Sequence, residues 1–192
     1  MTVKIAILRG HGPKENGWDP GRVGLRNFPE AEITLAASYE LKKQLERILP
    51  GCEVLLIRAG GTESARSLTQ GVDKATAWGA KIFLSLHCNG HGTASANGME
   101  VFYYNRRGYA SARLARLVNE ALATLLFPLG IRNRGVKTAK FTEIYRPKAH
   151  ACLIEFGFIT NKKDFSIIAD FKNMPKLCGA VAVAVRRFLF GG

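Results

Sequence analysis

The chain reads as a single α/β domain: a twisted, mostly parallel sheet of about six strands flanked by helices on both faces. Three observations predict this. Short apolar runs of strand length at 3–8, 53–57, 81–86, 99–104 and 151–154 are separated by longer stretches whose apolar residues recur every three or four positions. Strand and helix therefore alternate, the pattern of crossover units building a parallel sheet. Finally, 192 residues suffice for one domain with a large core, and no repeat, low-complexity segment or interdomain linker divides them.

The first strand is the run Val3-Lys4-Ile5-Ala6-Ile7-Leu8. Residues 10–29 follow as a loop punctuated by Gly12, Pro13, Gly17, Pro20, Gly21, Gly24 and Pro29. A loop of that length inside a compact domain is usually functional or disordered. Glu30, Ile33, Ala37, Leu41, Leu45 and Ile48 then mark one face of a helix that Pro50-Gly51 stops. Glu30 lies on the buried stripe of its first turn, and Glu32 projects onto a more exposed flank. The second strand, 53–57, leads through Gly60-Gly61 to a helix marked by Ala65, Leu68, Val72 and Ala75. The third strand ends in His87, and a small-residue loop over 89–98 precedes a strand at 99–104. Leu114, Leu117, Val118, Ala121, Leu122 and Leu125 predict the next helix, closed by Pro128 and Gly130. Residues 130–150 read as basic and irregular, with one short strand near 138–144. The strand 151–154 closes on Glu155; a short helix at 161–169 and a last one through Met174, Leu177, Val181, Ala184 and Phe188 complete the chain.

Hydrophobic residues make up 47% and charged residues 22%, values that exclude a disordered or membrane-embedded chain. The apolar stretches are too short to span a bilayer, and Met1-Thr2-Val3-Lys4-Ile5 shows no export pattern, which predicts synthesis in the cytoplasm without a signal peptide. Against 15 acidic residues stand 28 Lys and Arg, giving a net charge of +13. Such a balance implies an anionic partner, whether nucleic acid, membrane or the phosphate-rich polymers of a bacterial wall. The densest basic stretch is Arg132, Arg134, Lys137, Lys140, Arg146 and Lys148, read in the first instance as a solvated face. Cys52, Cys88, Cys152 and Cys178 are scattered without a CxxC pair and are expected to be unpaired small hydrophobes.

Four residues carry the chemistry. In an open α/β sheet, ligands bind beyond the carboxyl ends of the strands, and crossover helices start at that same edge. His11, His87 and Glu155 follow or close apolar strands, and Glu30 opens a helix, so the fold gathers all four. Hydrolytic zinc is commonly held by three ligands drawn from His and carboxylate, with a fourth position left for water. His11, Glu30 and His87 supply that set for one zinc ion, which would render its water nucleophilic near neutral pH. Glu155, not bound to the metal, is the candidate proton acceptor that passes the proton to the leaving nitrogen. His91 is read as solvated, and Cys88, beside His87, as pointing to the opposite face. His150 and Glu32 are weaker alternatives.

At these residues the chain resembles the zinc-dependent N-acetylmuramoyl-L-alanine amidases that cut bacterial peptidoglycan. Gly10-His11-Gly12 with Asp19-Pro20-Gly21 is similar to the family's opening loop, Glu30-Ala31-Glu32-Ile33 to its second-ligand segment and Ser85-Leu86-His87-Cys88-Asn89 to its third-ligand motif. Gly98-Met99-Glu100-Val101-Phe102-Tyr103-Tyr104 resembles the strand that follows. Arg132-Asn133-Arg134-Gly135-Val136-Lys137 and Leu153-Ile154-Glu155-Phe156-Gly157-Phe158-Ile159-Thr160-Asn161 match its later motifs, the last carrying the family's catalytic glutamate. Leu8-Arg9 replaces the usual Asp-Pro or Asp-Ala, and Cys88 stands where Ala is common; neither removes a ligand.

The resemblance implies that residues 1–192 form an amidase catalytic domain that splits the bond between the lactyl group of N-acetylmuramic acid and L-alanine. Its partners would be peptidoglycan and anionic wall polymers. The basic charge and absent leader favour a phage or prophage endolysin acting at the wall over a secreted autolysin. Three competing readings are a zinc carboxypeptidase acting on wall peptides, a wall-binding protein with a dead site and a basic nucleic-acid-binding module. The last lacks a recognition helix, zinc-finger spacing or an RNA-binding sheet signature, so no nucleic-acid partner is expected.

Overall fold

The computed structural model describes residues 2–14, 17–58 and 67–191. Strands β1 (Lys4–Arg9), β2 (Gly12–Lys14) and β3 (Gly17–Asp19) precede helix α1 (Glu30–Ile48). Then come β4 (Glu53–Ile57), α2 (Leu68–Trp78), β5 (Ile82–Asn89), β6 (Met99–Tyr103) and α3 (Tyr109–Leu126). The chain continues through β7 (Asn133–Thr138), α4 (Thr142–Tyr145), β8 (His150–Phe158), α5 (Lys162–Ile168) and α6 (Met174–Phe190). Six strands form one sheet in the order β4-β1-β5-β8-β6-β7. The first four of these run parallel, while β6 is antiparallel to β8 and parallel to β7.

This order creates a switch point. From β1 the chain crosses through α1 to β4 on one side, then returns past β1 to β5 on the other. Loops leaving β1 and β5 thus part in opposite directions and open a crevice at the carboxyl edge. The larger apolar layer covers one face with α1, α3 and α6, whose Leu41, Leu45, Val118, Leu122, Val181 and Val185 are fully buried. The smaller layer, on the other face, carries α2 and α4 through Val72, Ala75 and Ile144.

Side chains of that thinner face change character along the strands. Phe83 is followed at two-residue intervals by Ser85 and His87, and Ala151 by Leu153 and Glu155. The face is apolar under α2 and α4 and polar at the carboxyl edge. Cys88, one residue on, belongs to the opposite, larger layer, as expected.

Three expectations need correction. The loop over 10–29 contains a β2–β3 hairpin, with Gly12 paired to Asp19. Strand β8 does not close at Glu155: it runs on to Phe158, because β5 itself continues to Asn89 and offers Phe158 a partner. The strand expected near 138–144 lies at 133–138 and is followed by the one-turn α4, since pairing with β6 places an edge strand where local pattern is weak. Gly60, Gly61 and Ala65 lie outside the described residues. The cysteines among the described residues are free, three of them buried. Among the described residues no helix is long and apolar enough to cross a membrane.

Candidate active site

Each candidate ligand is delivered by a different backbone device. His11 follows β1 with φ +63°, in the left-handed region that His tolerates better than most side chains. This reverses the chain and turns the imidazole toward α1. Asp19, on the partner strand of the hairpin, places Oδ2 2.9 Å from His11 Nδ1 and accepts the Gly21 N–H on Oδ1 at 3.0 Å. Burial opposes the Asp19 charge, but these two hydrogen bonds outweigh it and lower the pKa. Asp19 is the outer carboxylate of His11, a role that Leu8-Arg9 cannot fill.

Glu30 is held at the start of α1, where helix N-terminal N–H groups favour a carboxylate. The helix is tied to β1 by two contacts. Thr34 Oγ1 donates to the Gly10 carbonyl at 2.7 Å, and the buried Arg9 guanidinium donates to the Ala31 carbonyl at 2.8 and 3.2 Å. Glu30 Oε2 accepts the Arg22 N–H at 3.0 Å and lies 3.3 Å from His11 Nε2. Its Oε1 accepts the Cys88 N–H at 2.9 Å and lies 3.1 Å from His87 Nδ1. Burial works against the charge here too, yet His87 and His11 hold the carboxyl below its ordinary range.

His87 projects from β5 beside Glu155 of β8, its register partner. The imidazoles of His11 and His87 meet edge to face with centroids 5.2 Å apart. Burial alone would lower the His87 pKa, but Glu143, Glu30 and Glu155 overcome it and push it up to about 10. Glycines make room for this packing. A Cβ on Gly10 would sit 2.5 Å from His87 Cε1, and one on Gly21 2.6 Å from His11 Cδ2 and 2.7 Å from Glu30 Oε2.

The donor atoms of His11, Glu30 and His87 all lie within 4.8 Å of one another. Two imidazole nitrogens and one carboxylate oxygen converging this closely fit a hydrolytic zinc ion. Glu155 stands beside this trio with its Oε2 buried and unpartnered. Burial is the main force that raises its pKa to about 8; the His87 charge pulls the other way, and Glu30, Glu100 and Glu143 add to the rise.

Sequence reasoning left three acidic residues without a role. Asp19 was visible only as part of a turn motif. Glu100, register partner of Glu155 across β6, is bonded to Asn89, Arg134 and Lys137, so the basic stretch partly serves to neutralise it. Glu143, on α4, is buried with Oε1 3.6 Å from His87 Nε2. A lone acid in the run Phe141-Thr142-Glu143-Ile144 was the available signal.

Other candidates are not brought to the site. His91 is exposed, with Nδ1 accepting the Thr93 N–H. His150 begins β8, at the opposite end from Glu155, and packs on Phe188 at 5.6 Å. Glu32 is exposed, and burial pushes the Cys88 thiol far above its ordinary pKa, away from a thiolate ligand.

Comparison with known proteins places this geometry. The profile of the N-acetylmuramoyl-L-alanine amidases matches residues 5–187. The amidase LytC of Bacillus subtilis is 34% identical over 177 residues, covering 92% of this chain and 34% of that protein. CwlM of Bacillus licheniformis is 31% identical, covering 84% of this chain and 59% of its own length. A sporulation-specific amidase of Bacillus subtilis is 31% identical over 84% of this chain and 58% of its own length. The chain thus spans about a third to three fifths of these relatives. Among solved structures, the catalytic domain of CwlV from Bacillus (Paenibacillus) polymyxa superposes over the full length of both chains with a TM-score of 0.85 at 26% identity. An amidase of Nostoc punctiforme gives 0.85 at 26% identity over 97% of each chain. Profile, relatives and fold agree, and the chain belongs to the N-acetylmuramoyl-L-alanine amidase family.

Proposed function

We propose that this chain hydrolyses the amide bond between the lactyl group of N-acetylmuramic acid and the L-alanine of the stem peptide in bacterial peptidoglycan, using one zinc ion. The observation that carries this reading is the convergence of His11, Glu30 and His87 donor atoms within 4.8 Å, with Glu155 register-paired to His87. A zinc ion in this trio supplies Lewis acidity, activating water and polarising the scissile carbonyl. The residues of the chain do the remaining work. Asp19 orients His11, and the Arg22 and Cys88 N–H groups fix both oxygens of Glu30. Glu155 takes the proton of the attacking water and returns it to the departing nitrogen of L-alanine. In the metal-free chain burial raises its pKa to about 8, and the charge of a bound zinc would favour the carboxylate form that accepts the proton.

Purified peptidoglycan provides the test. Zinc-loaded protein is expected to release peptides with a new L-alanine amino terminus and leave the glycan strands intact, to stop in chelator and to resume with zinc. Release of single terminal amino acids would establish the carboxypeptidase instead.

For the biological setting we take lysis by a phage or prophage, with the +13 charge drawing the protein to anionic wall polymers. The sporulation-specific relative favours a second setting, a bacterial autolytic or sporulation enzyme. Expression following prophage induction supports the first, and expression timed to sporulation the second.

A further inference from the structure

His87 lies between two carboxylates. Glu30 Oε1 faces its Nδ1 at 3.1 Å, and Glu143 Oε1 faces its Nε2 at 3.6 Å. The two ring nitrogens have separate fates in the proposed site. Nδ1 is the atom directed toward Glu30, whose other oxygen faces His11 Nε2, so a metal held by the trio would take the Nδ1 lone pair. The neutral ring must then carry its proton on Nε2, a buried atom that lacks a hydrogen-bond partner in the present geometry. Leaving such a donor unpaired is costly, and the acceptor that faces it is Glu143.

Glu143 is not there by accident of a surface loop. It is 7% exposed and sits on the one-turn α4. Its neighbour Ile144 is fully buried in the smaller apolar layer with Phe83 and Leu153. At the other end of the turn, Arg146 makes two hydrogen bonds, at 2.9 and 2.8 Å, to Asp73 of α2. Both contacts fix the turn that carries Glu143, and a few tenths of an ångström bring its carboxylate into hydrogen-bond range of Nε2.

We propose that Glu143 is a positioning residue for the metal centre: it accepts the Nε2–H of His87, fixing the tautomer and ring orientation that present Nδ1 to zinc. This rests on the zinc reading of His11, Glu30 and His87. Outer carboxylates of this kind orient metal-bound imidazoles and raise their basicity. The site would then hold each histidine by its distal nitrogen with its own acid, Asp19 for His11 and Glu143 for His87.

The experiment titrates Zn²⁺ into metal-free protein against a chromophoric chelator for the wild type, Glu143→Ala, Glu143→Gln and His87→Ala. Nitrogen-15 spectra of the His87 ring are recorded in the zinc-loaded wild type. Glu143→Ala is expected to weaken zinc binding about 10- to 100-fold. Glu143→Gln, which keeps an acceptor oxygen, recovers most of that loss, and the spectra show the proton on Nε2. Unchanged zinc affinity in Glu143→Ala, or a wild-type ring protonated on Nδ1, overturns the proposal; the spectra decide it even if the alanine variant does not fold. His87→Ala separates the two levels. If it binds zinc as the wild type does, the metal reading itself fails, whereas loss of zinc there with full affinity in Glu143→Ala sinks only the role of Glu143.

Discussion

In the proposed mechanism Glu155 moves a proton and the histidines hold an ion, so they answer to different measurements. Glu155→Ala is expected to lower turnover about 10²- to 10⁴-fold, the range for loss of general acid–base catalysis, while zinc content stays near one per chain. His87→Ala loses both zinc and turnover. Zinc analysis beside a turnover assay checks the division, and a Glu155→Ala protein with normal turnover removes the proton-transfer assignment. Gly21 is the most exacting position among the residues that only make room. Its φ of +68° is strained for any side chain, and an added Cβ meets both His11 and Glu30. Gly21→Ala is expected to cost about 1–3 kcal/mol in backbone strain and to weaken zinc binding, as chemical denaturation and metal titration will read. That the fold gathers His11, Glu30, His87 and Glu155 at one edge was legible from sequence, because strand ends and a helix start are local signals. Asp19 and Glu143 were not, since each earns its place through contacts across 8 and 56 residues of chain that no local pattern records.

At the scale of elements, the junction of β1 and α1 matters most. Arg9 is 1% exposed at the end of β1 and spends its donors on the Ala31 and Arg58 carbonyls. It therefore sets where α1 begins, and with it the position of Glu30. Arg9→Ala is expected to destabilise the fold by about 1–3 kcal/mol, through buried carbonyls left without their donor, seen as a lower denaturant midpoint. The sequence shows this junction as only a replaced dipeptide. Elements with strong periodicity were legible: β4 at 53–57 and α1 with its buried Glu30, Ile33, Ala37 and Leu41 lie where the apolar pattern puts them. Strand β7 and α4 escaped. The Asn133-Arg134-Gly135-Val136-Lys137-Thr138 run has almost no apolar alternation and becomes a strand through pairing with β6. Helix α4 has a single turn, too short for a periodic signal.

Considered as a whole molecule, the metal-free protein concentrates acids around one imidazole, and its stability must follow pH accordingly. The folded pKa of His87 is raised from 6.5 to about 10, and that of Glu155 from 4.5 to about 8. For both, the native state binds more protons than the unfolded chain between the two values. Their contribution is therefore fully present below the unfolded pKa and is lost as pH rises through the folded one. Glu30, Asp19, Glu143 and Glu100 are shifted downward and act oppositely, losing their contribution as pH falls below their unfolded values. Maximal thermal stability of the metal-free protein is expected near about pH 5–6, between these two regimes, with a decline toward pH 9. Zinc should offset that alkaline decline, because it takes the place of the His87 proton. Melting temperatures measured across pH with and without zinc check both statements; a metal-free protein that gains stability from pH 6 to 9 contradicts them.

The two tryptophans occupy opposite ends of this molecule. Trp18 belongs to the hairpin that carries Asp19 and lies under the Arg9 guanidinium at 5.0 Å, while Trp78 closes α2 beneath the Lys4 ammonium at 5.1 Å. One indole thus stands next to the candidate metal site, at the end of β1, and the other at the start of β1, the first exposed and the second partly buried. Replacing either by phenylalanine leaves a single-site optical probe, so ion uptake and global unfolding become separately visible in the same cuvette without any attached dye.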